Sequence, residues 1–537
     1  MWPRIFLPTR ARVHRLRSFP MHPSGLPFDP EPERVVQTHA NYVLLRKDRA
    51  YKLKKPVRFA FLDYSTLDRR RDSCLAELHL NRRFAPEIYL GVAEVHEQGG
   101  CLRIGPVLEA FGPATPTVRD YAVVMKRIAE DAWLPERIRR RAIGEGEIVR
   151  LLRRLIAVYR SHPASEEVRA NGLPARVRKN TVDNIAECRR FVPRCLSLAS
   201  WIRLDGLLRE WFEANHEVFE QRVRDDRIRD GHGDLKPSNI AFVDGEPIVT
   251  DCIEFDPLFR RLDTLCEVSF LATGLESLGS FEIAARVFSV YRDVNHDPYP
   301  QSLRRYYQAH LACVMGKVSA LQLDESEVGE EQKRASLELA RRSFALADFH
   351  AREPHVIAVG GIMGCGKSTV ARALARVFGW AVTSSDVERK RLAGVVPSER
   401  LPASGYSREM TRRTYAKLAE AARKAETGLV LDAQFSQIEE RGVVREAVEQ
   451  AGGSMLFVLC DAPDAVVRER MRQRTMDPSR TSDATENLLE DARGRYAPLS
   501  AKERASAVTH DTRESVDTAV GKVRDALLGT GTSCDLL

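Results

Sequence analysis

The sequence has no long apolar segment, no closely spaced pair of cysteines and no internal repeat. No apolar run approaches the roughly 18 residues that a membrane-spanning helix needs, so no membrane span is expected. The ten cysteines are scattered without a C-x-x-C pair, which argues against a metal site or a disulfide framework and favours a reducing cytoplasm. The sequence contains no repeat of roughly 20–50 residues, so neither a solenoid nor a propeller is expected. The 537 residues are too many for one core, and about two to four domains are expected.

The chain is moderately basic, and part of this charge lies at its start. The formal net charge is +8 and the isoelectric point is about 8.9, which suits anionic ligands or nucleic acid without requiring them. The first twenty residues contain no acidic side chain and five arginines: Arg4, Arg10, Arg12, Arg15 and Arg17. We interpret residues 1–28 as a basic disordered tail, or as a mis-called start that precedes a true initiator at Met21. A transit-like peptide is the alternative.

A phosphate-binding motif occurs in the second half of the chain. The sequence GIMGCGKST fits the pattern G-x-x-x-x-G-K-[ST], with a buried strand predicted before it and a helix predicted after it. Glycines let the backbone wrap around phosphates at the helix N-terminus, where Lys367 would reach the β- and γ-phosphates and Ser368 would hold Mg²⁺. The predicted nucleotide-binding residues are Gly361, Gly364, Cys365, Gly366, Lys367, Ser368 and Thr369. Cys365 lies within this loop, and we hypothesise that its oxidation or alkylation blocks nucleotide binding.

Three short apolar strands are predicted after this motif, and they end at Asp386, Asp432 and Asp461. Strands that alternate with helices indicate a parallel sheet, and such sheets bind ligands at the carboxyl ends of their strands. Asp432 is therefore predicted to support Mg²⁺ binding, and Asp386 to orient or deprotonate an acceptor hydroxyl. Either aspartate would also serve as a helix N-cap after a strand, and that alternative stays open.

An arginine-rich segment follows, in which five arginines lie at residues 468–480 on a predicted helix and the loop after it. On a mobile lid, such arginines would stabilise the charge of the transferred phosphoryl group, and Arg474 and Arg480 are the predicted contributors. A solvated basic helix face is the alternative. Residues 355–530 resemble the small P-loop kinases, a group that includes gluconate kinase, shikimate kinase, polynucleotide kinase, chloramphenicol phosphotransferase and zeta toxin. The stretch SSDVERKRLAG is similar to the acceptor-binding segment of that group, which implies that Asp386 and Arg389 contact the acceptor.

A different phosphate-handling motif, HGDLKPSNI, begins at His232. His232, Asp234 and Asn239 have the H-x-D-x-x-x-x-N spacing of a kinase catalytic loop. Asp234 would accept the proton of the acceptor hydroxyl, Asn239 would bind Mg²⁺, and Lys236 would neutralise the transferred phosphate. Asp251, at the end of the next predicted strand, would be the other Mg²⁺ ligand. A polar turn between two strands is the alternative.

A kinase of this design also needs a lysine on an N-terminal sheet and a glutamate on the following helix. Lys52 has the A-x-K spacing of such a lysine. Lys54 lies on the same strand face and is the alternative candidate for this role. Glu77, on the helix predicted next, is the expected ion-pair partner. The chain has no G-x-G-x-x-G motif before Lys52 and no HRD motif, and no APE follows Asp251; DCI stands where DFG is typical.

These motifs resemble the aminoglycoside phosphotransferase family, which includes choline and homoserine kinases and tolerates a missing glycine loop. The resemblance covers roughly residues 30–345, and the whole chain is similar to a bacterial fusion of such a domain with a P-loop ATPase or kinase domain. In related phosphotransferases, acidic residues of the helical lobe hold the acceptor. This implies Glu254 and Asp256 as candidates here, with a capping or salt-bridge role as the alternative.

The predicted architecture therefore has two domains. The first is an α+β protein-kinase-like domain with a small β lobe and a helical lobe, and the second is an α/β P-loop NTPase domain with a parallel sheet. The predicted boundaries are a tail at 1–28, the kinase-like domain at 29–347, a linker at 348–354, the P-loop domain at 355–530 and a tail at 531–537.

The predicted function is that of a cytoplasmic, bifunctional phosphotransferase. Each domain would transfer the γ-phosphoryl group of ATP or GTP, with Mg²⁺, to the hydroxyl of a small-molecule acceptor. Three alternatives remain: a regulatory pseudokinase as the first domain, a nucleic-acid 5′-hydroxyl kinase as the second, or a second domain that only hydrolyses ATP to drive a conformational change. The sequence favours neither a membrane nor a nucleic acid as the partner, and it does not identify the acceptor or the oligomeric state.

Overall fold

The computed structural model describes residues 25–38, 40–59, 62–108, 111, 115–325, 328–352, 354–396, 399, 401, 403–475 and 489–529. The predicted tail at 531–537 lies outside the described residues, as does the predicted tail at 1–28 up to residue 24. The chain divides into two compact units, residues 1–299 with 306–344, and residues 300–305 with 345–537. Within the described residues, no helix is both long and apolar enough to cross a membrane.

The first unit begins with an antiparallel sheet. The strands of this unit are β1 (Arg34–Gln37), β2 (Asn41–Leu45), β3 (Arg49–Lys54), β4 (Arg58–Phe59), β5 (Leu62–Asp63), β6 (Tyr89–Gln98), β7 (Cys101–Leu108), β8 (Val118–Lys126), β9 (Ile228–Asp230), β10 (Ile240–Val243), β11 (Glu246–Val249) and β12 (Arg261–Asp263). Six of them form one sheet in the order β1-β2-β3-β8-β6-β7. β3 is central, with Lys52 opposite Val43 of β2 and Val123 of β8. Two small antiparallel pairs, β10 with β11 and β9 with β12, lie later in the chain.

Helices make up most of the remainder of this unit. They are α1 (Leu67–Arg82), α2 (Leu134–Arg139), α3 (Glu145–Ser161), α4 (Glu166–Ala170), α5 (Pro174–Cys188), α6 (Leu198–Asn215), α7 (Glu217–Arg224), α8 (Thr264–Ser277) and α9 (Phe281–Asn295). Two further helices, α10 (Gln301–Leu321) and α11 (Glu330–Ala351), belong to this unit from residue 306 and up to residue 344, respectively. The Thr66 hydroxyl caps α1 by accepting from the Arg69 amide. Buried Cys74 and Leu78 of α1 pack with Tyr121 of β8 in one apolar cluster. An antiparallel sheet followed by helices is the composition expected, while its protein-kinase-like identity stays a prediction.

The second unit contains a five-stranded parallel sheet. Its strands are β13 (His355–Gly360), β14 (Ala381–Ser384), β15 (Leu429–Asp432), β16 (Ser454–Asp461) and β17 (Ala507–Asp511), in the order β14-β15-β13-β16-β17. Its helices are α12 (Lys367–Phe378), α13 (Ser385–Leu392), α14 (Arg408–Arg423), α15 (Ile438–Gln450), α16 (Asp464–Thr475), α17 (Leu489–Arg495), α18 (Ala501–Ala505) and α19 (Val516–Leu528). Strand β13 is buried at every position, as a strand covered on both faces must be. The predicted parallel sheet is thereby confirmed.

Two local predictions differ from the structure. The strand expected to end at Asp386 ends at Ser384, and Asp386 lies in the first turn of α13 because the Ser384 hydroxyl accepts the Asp386 amide as the N-cap. The linker predicted at 348–354 begins inside α11, since that helix continues to Ala351, and β13 starts at His355.

Candidate functional sites

The loop between β9 and β10 holds the H-x-D-x-x-x-x-N residues in a buried arrangement. The Asn239 amide nitrogen donates to the backbone oxygen and to Oδ2 of Asp234, both at 3.0 Å. Nε2 of His232 lies 2.9 Å from the Thr250 carbonyl oxygen, which fixes the loop against the end of β11. Because its nitrogen is used in this way, the Asn239 side chain presents its oxygen as the atom that would bind a cation.

Asp234 is paired with Lys236 inside this loop. The Lys236 ammonium donates to Oδ2 of Asp234 at 2.5 Å, and both side chains are almost fully buried. Burial raises the pKa of Asp234 to about 6, although the Lys236 charge acts in the opposite direction. A carboxylate with this pKa can exist in either protonation state near neutrality, as a general base requires.

Asp251 lies just after β11 and faces the N-terminal sheet. Its backbone has a φ of +68°, in the left-handed region, and its amide donates to the Tyr89 hydroxyl at 3.1 Å. The Lys52 ammonium donates to Oδ1 of Asp251 at 2.6 Å. Burial alone would raise the pKa of Asp251, but the charges of Lys52 and Lys236 outweigh it and hold this pKa well below its usual range. The carboxylate is therefore ionised at neutral pH.

The structure brings the predicted pair of Lys52 and Glu77 together. Their Nζ and Oε1 atoms are 2.8 Å apart, and Glu77 is fully buried on α1. Burial lowers the pKa of Lys52, yet Asp251 and Glu77 dominate, so the ammonium stays charged. The competitor, Lys54, also contacts Glu77, through its other carboxylate oxygen, and extends to Glu254 instead of Asp251.

The two implied acceptor residues are occupied by contacts within the chain. Oε1 of Glu254 accepts from the Tyr64 hydroxyl at 2.6 Å and from Lys54, and only 7% of its side chain is exposed. Oδ1 of Asp256 accepts from the Leu258 amide at 2.9 Å and caps a short helical turn. In this structure Glu254 forms a salt bridge and Asp256 caps a helical turn, which are the two alternatives to acceptor binding.

Glu267 was not found by sequence reasoning, although it supports this loop. It lies on α8 and is buried, and its Oε1 accepts the backbone amides of His232 and Gly233 at 2.6 Å each. A glutamate within an apolar helical segment, far along the chain from the loop, gives no local signal of this contact.

In the second unit, the phosphate loop lies between β13 and α12. Gly361 and Gly366 have φ values of +134° and +96°, in the region that favours glycine. A Cβ at Gly361 would lie 2.2 Å from the Cys460 carbonyl oxygen, so no side chain fits there. The Lys367 ammonium folds over the loop and donates to the Ile362 carbonyl at 2.8 Å.

The remaining predicted residues of this loop differ in accessibility. Thr369 is exposed, and Ser368 is half-buried at the start of α12. Gly364 has a φ of +77° and is buried. Cys365 is fully buried beneath Gly361, so its thiol does not face solvent.

The carboxyl ends of the parallel strands place two carboxylates near this loop. Asp432 ends β15, opposite Val359 of β13 and Ser384 of β14. Burial raises the pKa of Asp386, an effect opposed by the Lys367 charge and reinforced by Asp432. These three side chains therefore lie within electrostatic reach of one another at the edge of the sheet where ligands bind.

The predicted arginines have different positions. The Arg389 guanidinium lies 5.2 Å from the centre of the Tyr406 ring and donates to the Thr411 hydroxyl at 3.1 Å. Arg480 lies outside the described residues, as does the side chain of Arg474. Arg470, in the same run, has no sequence signal that distinguishes it from its neighbours, yet it donates to the hydroxyl and the carbonyl oxygen of Thr512, at 2.7 and 2.8 Å. Thr512 follows β17 and packs beside Gly366 of the phosphate loop.

A known family model matches part of the second unit, and two mycobacterial proteins are similar to most of the chain. A family model described as an AAA domain matches residues 356–499, and with the five-stranded parallel sheet it confirms the predicted P-loop domain. An uncharacterised protein of Mycobacterium tuberculosis and one of Mycobacterium bovis are each 30% identical over 497 residues, covering 90% of this chain and 92% of the relative.

Solved structures similar to this chain cover about a third of it. A gluconokinase from Sinorhizobium meliloti is 21% identical, with a TM-score of 0.26 and coverage of 34% of this chain and 95% of that protein. A shikimate kinase from Acinetobacter baumannii, in complex with shikimate, is 20% identical, with a TM-score of 0.25 and coverage of 34% and 96%.

Proposed function

This chain belongs to the same family as these two mycobacterial proteins, and we propose that it is a bifunctional, nucleotide-dependent phosphotransferase. Each unit would bind ATP or GTP and transfer the γ-phosphoryl group to a hydroxyl of a small-molecule acceptor. In each transfer the acceptor oxygen forms a bond to the γ-phosphorus and the bond to the bridging oxygen of the β-phosphate breaks, which leaves the nucleoside diphosphate.

In the first unit, Asp234 would take the proton of the acceptor hydroxyl. Lys236, which contacts this carboxylate, would neutralise the transferred phosphate. Lys52 would bind the nucleotide phosphates, and Glu77 would orient the Lys52 side chain. The ionised Asp251 and the oxygen of Asn239 form a hard oxygen donor set that fits Mg²⁺. When bound there, Mg²⁺ would neutralise charge on the phosphate oxygens.

In the second unit, the phosphate loop would bind the nucleotide. Lys367 would exchange its bond to Ile362 for the β- and γ-phosphates, and the Ser368 hydroxyl, supported by Asp432, fits Mg²⁺ in the same way. Asp386 would orient or deprotonate the acceptor hydroxyl, with Arg389 beside it. Arg474 and Arg480 are proposed to stabilise the transferred phosphoryl group.

The strongest support is the meeting of residues from distant parts of the first unit. Lys52 of β3 contacts both Glu77 of α1 and Asp251 after β11, while Asp234 and Asn239 are bonded to each other in the buried loop. A set of polar turns would not require a buried lysine to be shared between two carboxylates. Positioning and charge neutralisation are what phosphoryl transfer needs from a protein.

One observation favours a second candidate, in which the first unit regulates the second. Asp251 and Asp234 are each paired with a lysine at 2.6 and 2.5 Å, so a cation or a substrate proton must compete with an existing ion pair. A domain that keeps these pairs closed would be a pseudokinase attached to an active P-loop enzyme.

Transfer of label from γ-labelled ATP tests this proposal. The full chain, Asp234→Ala and Lys367→Ala are each incubated with a metabolite extract and Mg²⁺. Two labelled products, one lost with each substitution, are expected. A single product lost only with Lys367→Ala would favour the regulatory candidate, and release of free phosphate without any labelled product would contradict phosphotransfer to a small molecule.

A further inference from the structure

Lys54 makes a second set of buried ion pairs beside the proposed nucleotide site of the first unit. It follows Lys52 by two residues on β3, so both side chains lie on the same face of the sheet. Its side chain is fully buried and contacts Glu77 and Glu254. Burial lowers the pKa of Lys54, but the charges of Glu254 and Glu77 outweigh it, and the amine stays protonated.

Glu254 connects this pair to the segment that carries Asp251. Besides Lys54, its Oε1 accepts from the Tyr64 hydroxyl at 2.6 Å and from the Ser73 hydroxyl at 3.2 Å. Glu254 lies three residues after Asp251 on the same loop. The loop is therefore held at two points, by Lys52 at Asp251 and by Lys54 at Glu254.

Together these side chains form one alternating chain of charges. It runs from Asp251 to Lys52, Glu77, Lys54 and Glu254, with Glu77 shared by both lysines. A buried carboxylate that is left without a partner is strongly destabilising. If Lys52 turned toward nucleotide phosphates, Glu77 would keep Lys54 as its partner, and the loop would keep its second attachment.

We propose that Lys54 and Glu254 are positioning residues for nucleotide and metal binding in the first unit. They hold Glu77 and the Asp251 loop in place while Lys52 and Asp251 exchange their contact with each other for contacts with phosphate and Mg²⁺. This inference rests on the proposed function of the first unit. It gives Glu254 a role without contact to the acceptor.

The test uses the full chain with Lys367→Ala, so that nucleotide bound to the second unit does not mask the first. Calorimetric titration measures the dissociation constant of ADP with saturating Mg²⁺ and with none. Lys54→Met and Glu254→Gln are each expected to weaken binding of Mg²⁺–ADP by roughly tenfold or more, and binding of metal-free ADP by much less. Lys54→Arg, which keeps the charge, should restore part of this loss.

Lys55→Met is the matched control. Lys55 is the next residue, is also buried, and lies over the Tyr42 ring at 4.9 Å. The inference is overturned if Lys54→Met and Lys55→Met change the affinity for metal-free ADP and the affinity for Mg²⁺–ADP by the same factor. Such a result would show a merely structural role for Lys54. Tyr64→Phe removes one hydroxyl from Glu254 and gives a milder variant if Lys54→Met fails to fold, with a smaller change in the same direction expected.

Two failures are distinguishable in this experiment. If the parent chain with Lys367→Ala binds no nucleotide, the proposed function of the first unit fails, and this inference fails with it. If the parent binds Mg²⁺–ADP and both Lys54→Met and Glu254→Gln bind it equally well, the inference alone is contradicted.

Discussion

Lys236 donates a hydrogen bond to Asp234 across 2.5 Å within a loop where both side chains are almost fully buried. Burial raises the pKa of Asp234 to about 6, and the Lys236 charge limits that rise. The pair thus keeps a buried carboxylate ready to accept a proton near neutral pH.

The first prediction concerns the pH dependence of transfer by the first unit. Asp234 must be deprotonated to act as a base, so kcat/KM should rise with pH through about 6 and then level off. Lys236→Met removes the charge that lowers this pKa, so its profile should move to higher pH as the overall rate falls. Rates measured between pH 5 and 8 with Lys367→Ala as background check this; a shift to lower pH would contradict the assignment.

The second prediction concerns nucleotide binding by the second unit. Lys367→Ala removes a charged donor at the phosphate loop, so ATP affinity of this unit should fall roughly 10- to 150-fold. Lys417→Ala is the control, because Lys417 is paired with Glu420 on the exposed side of α14. Titration with a non-hydrolysable ATP analogue, with Asp251→Asn as background, measures the difference. Equal ATP-analogue affinities of Lys367→Ala and Lys417→Ala would show that Lys367 does not bind the nucleotide.

The third prediction concerns stability. The Arg441 guanidinium is only 1% exposed and donates to Glu503 at 2.8 Å and to the Phe435 carbonyl at 3.0 Å. Arg441→Met leaves the buried Glu503 carboxylate without this partner, so the second unit should lose about 3–5 kcal/mol of unfolding free energy. The exposed pair of Lys424 with Glu420 provides the contrast: Lys424→Ala should cost less than about 1 kcal/mol. Urea denaturation, followed by a spectroscopic signal that reports unfolding of the second unit, gives both free-energy changes.

The fourth prediction concerns Cys365. The hypothesis that its alkylation blocks nucleotide binding requires a reachable thiol, and the structure buries it completely beneath Gly361. We therefore expect native protein treated with iodoacetamide to be modified at the partly exposed Cys101 well before Cys365, with ATP binding unchanged. Peptide mass spectrometry over time measures the order. Rapid labelling of Cys365 together with loss of binding would show that the loop opens in solution.

The features that sequence predicted well are those set by local pattern. The strand, glycine loop and helix around Gly361 and Lys367 follow from periodicity and from backbone freedom, both of which act over a few residues. The pair of Lys52 and Glu77 is not local; it is predicted from the lysine and glutamate that a kinase design requires, and the structure brings these two side chains together.

Contacts between distant residues were the ones that sequence did not reveal. Nothing local to Glu267 shows that it binds the amides of His232 and Gly233. The sequence indicates Lys54 only as a competitor of Lys52, because its contact with Glu254 spans 200 residues. The apolar pattern predicts a strand end at Asp386, two residues beyond the observed end at Ser384, because pattern alone does not distinguish a strand end from the serine cap of the next helix.

The most direct test of two independent sites is the stoichiometry of nucleotide binding. The full chain is titrated calorimetrically with a non-hydrolysable ATP analogue and Mg²⁺, alongside Asp251→Asn and Lys367→Ala. Two equivalents should bind to the unsubstituted chain, with one equivalent lost in each variant. A single equivalent, abolished by Lys367→Ala and unaffected by Asp251→Asn, would contradict a nucleotide site in the first unit.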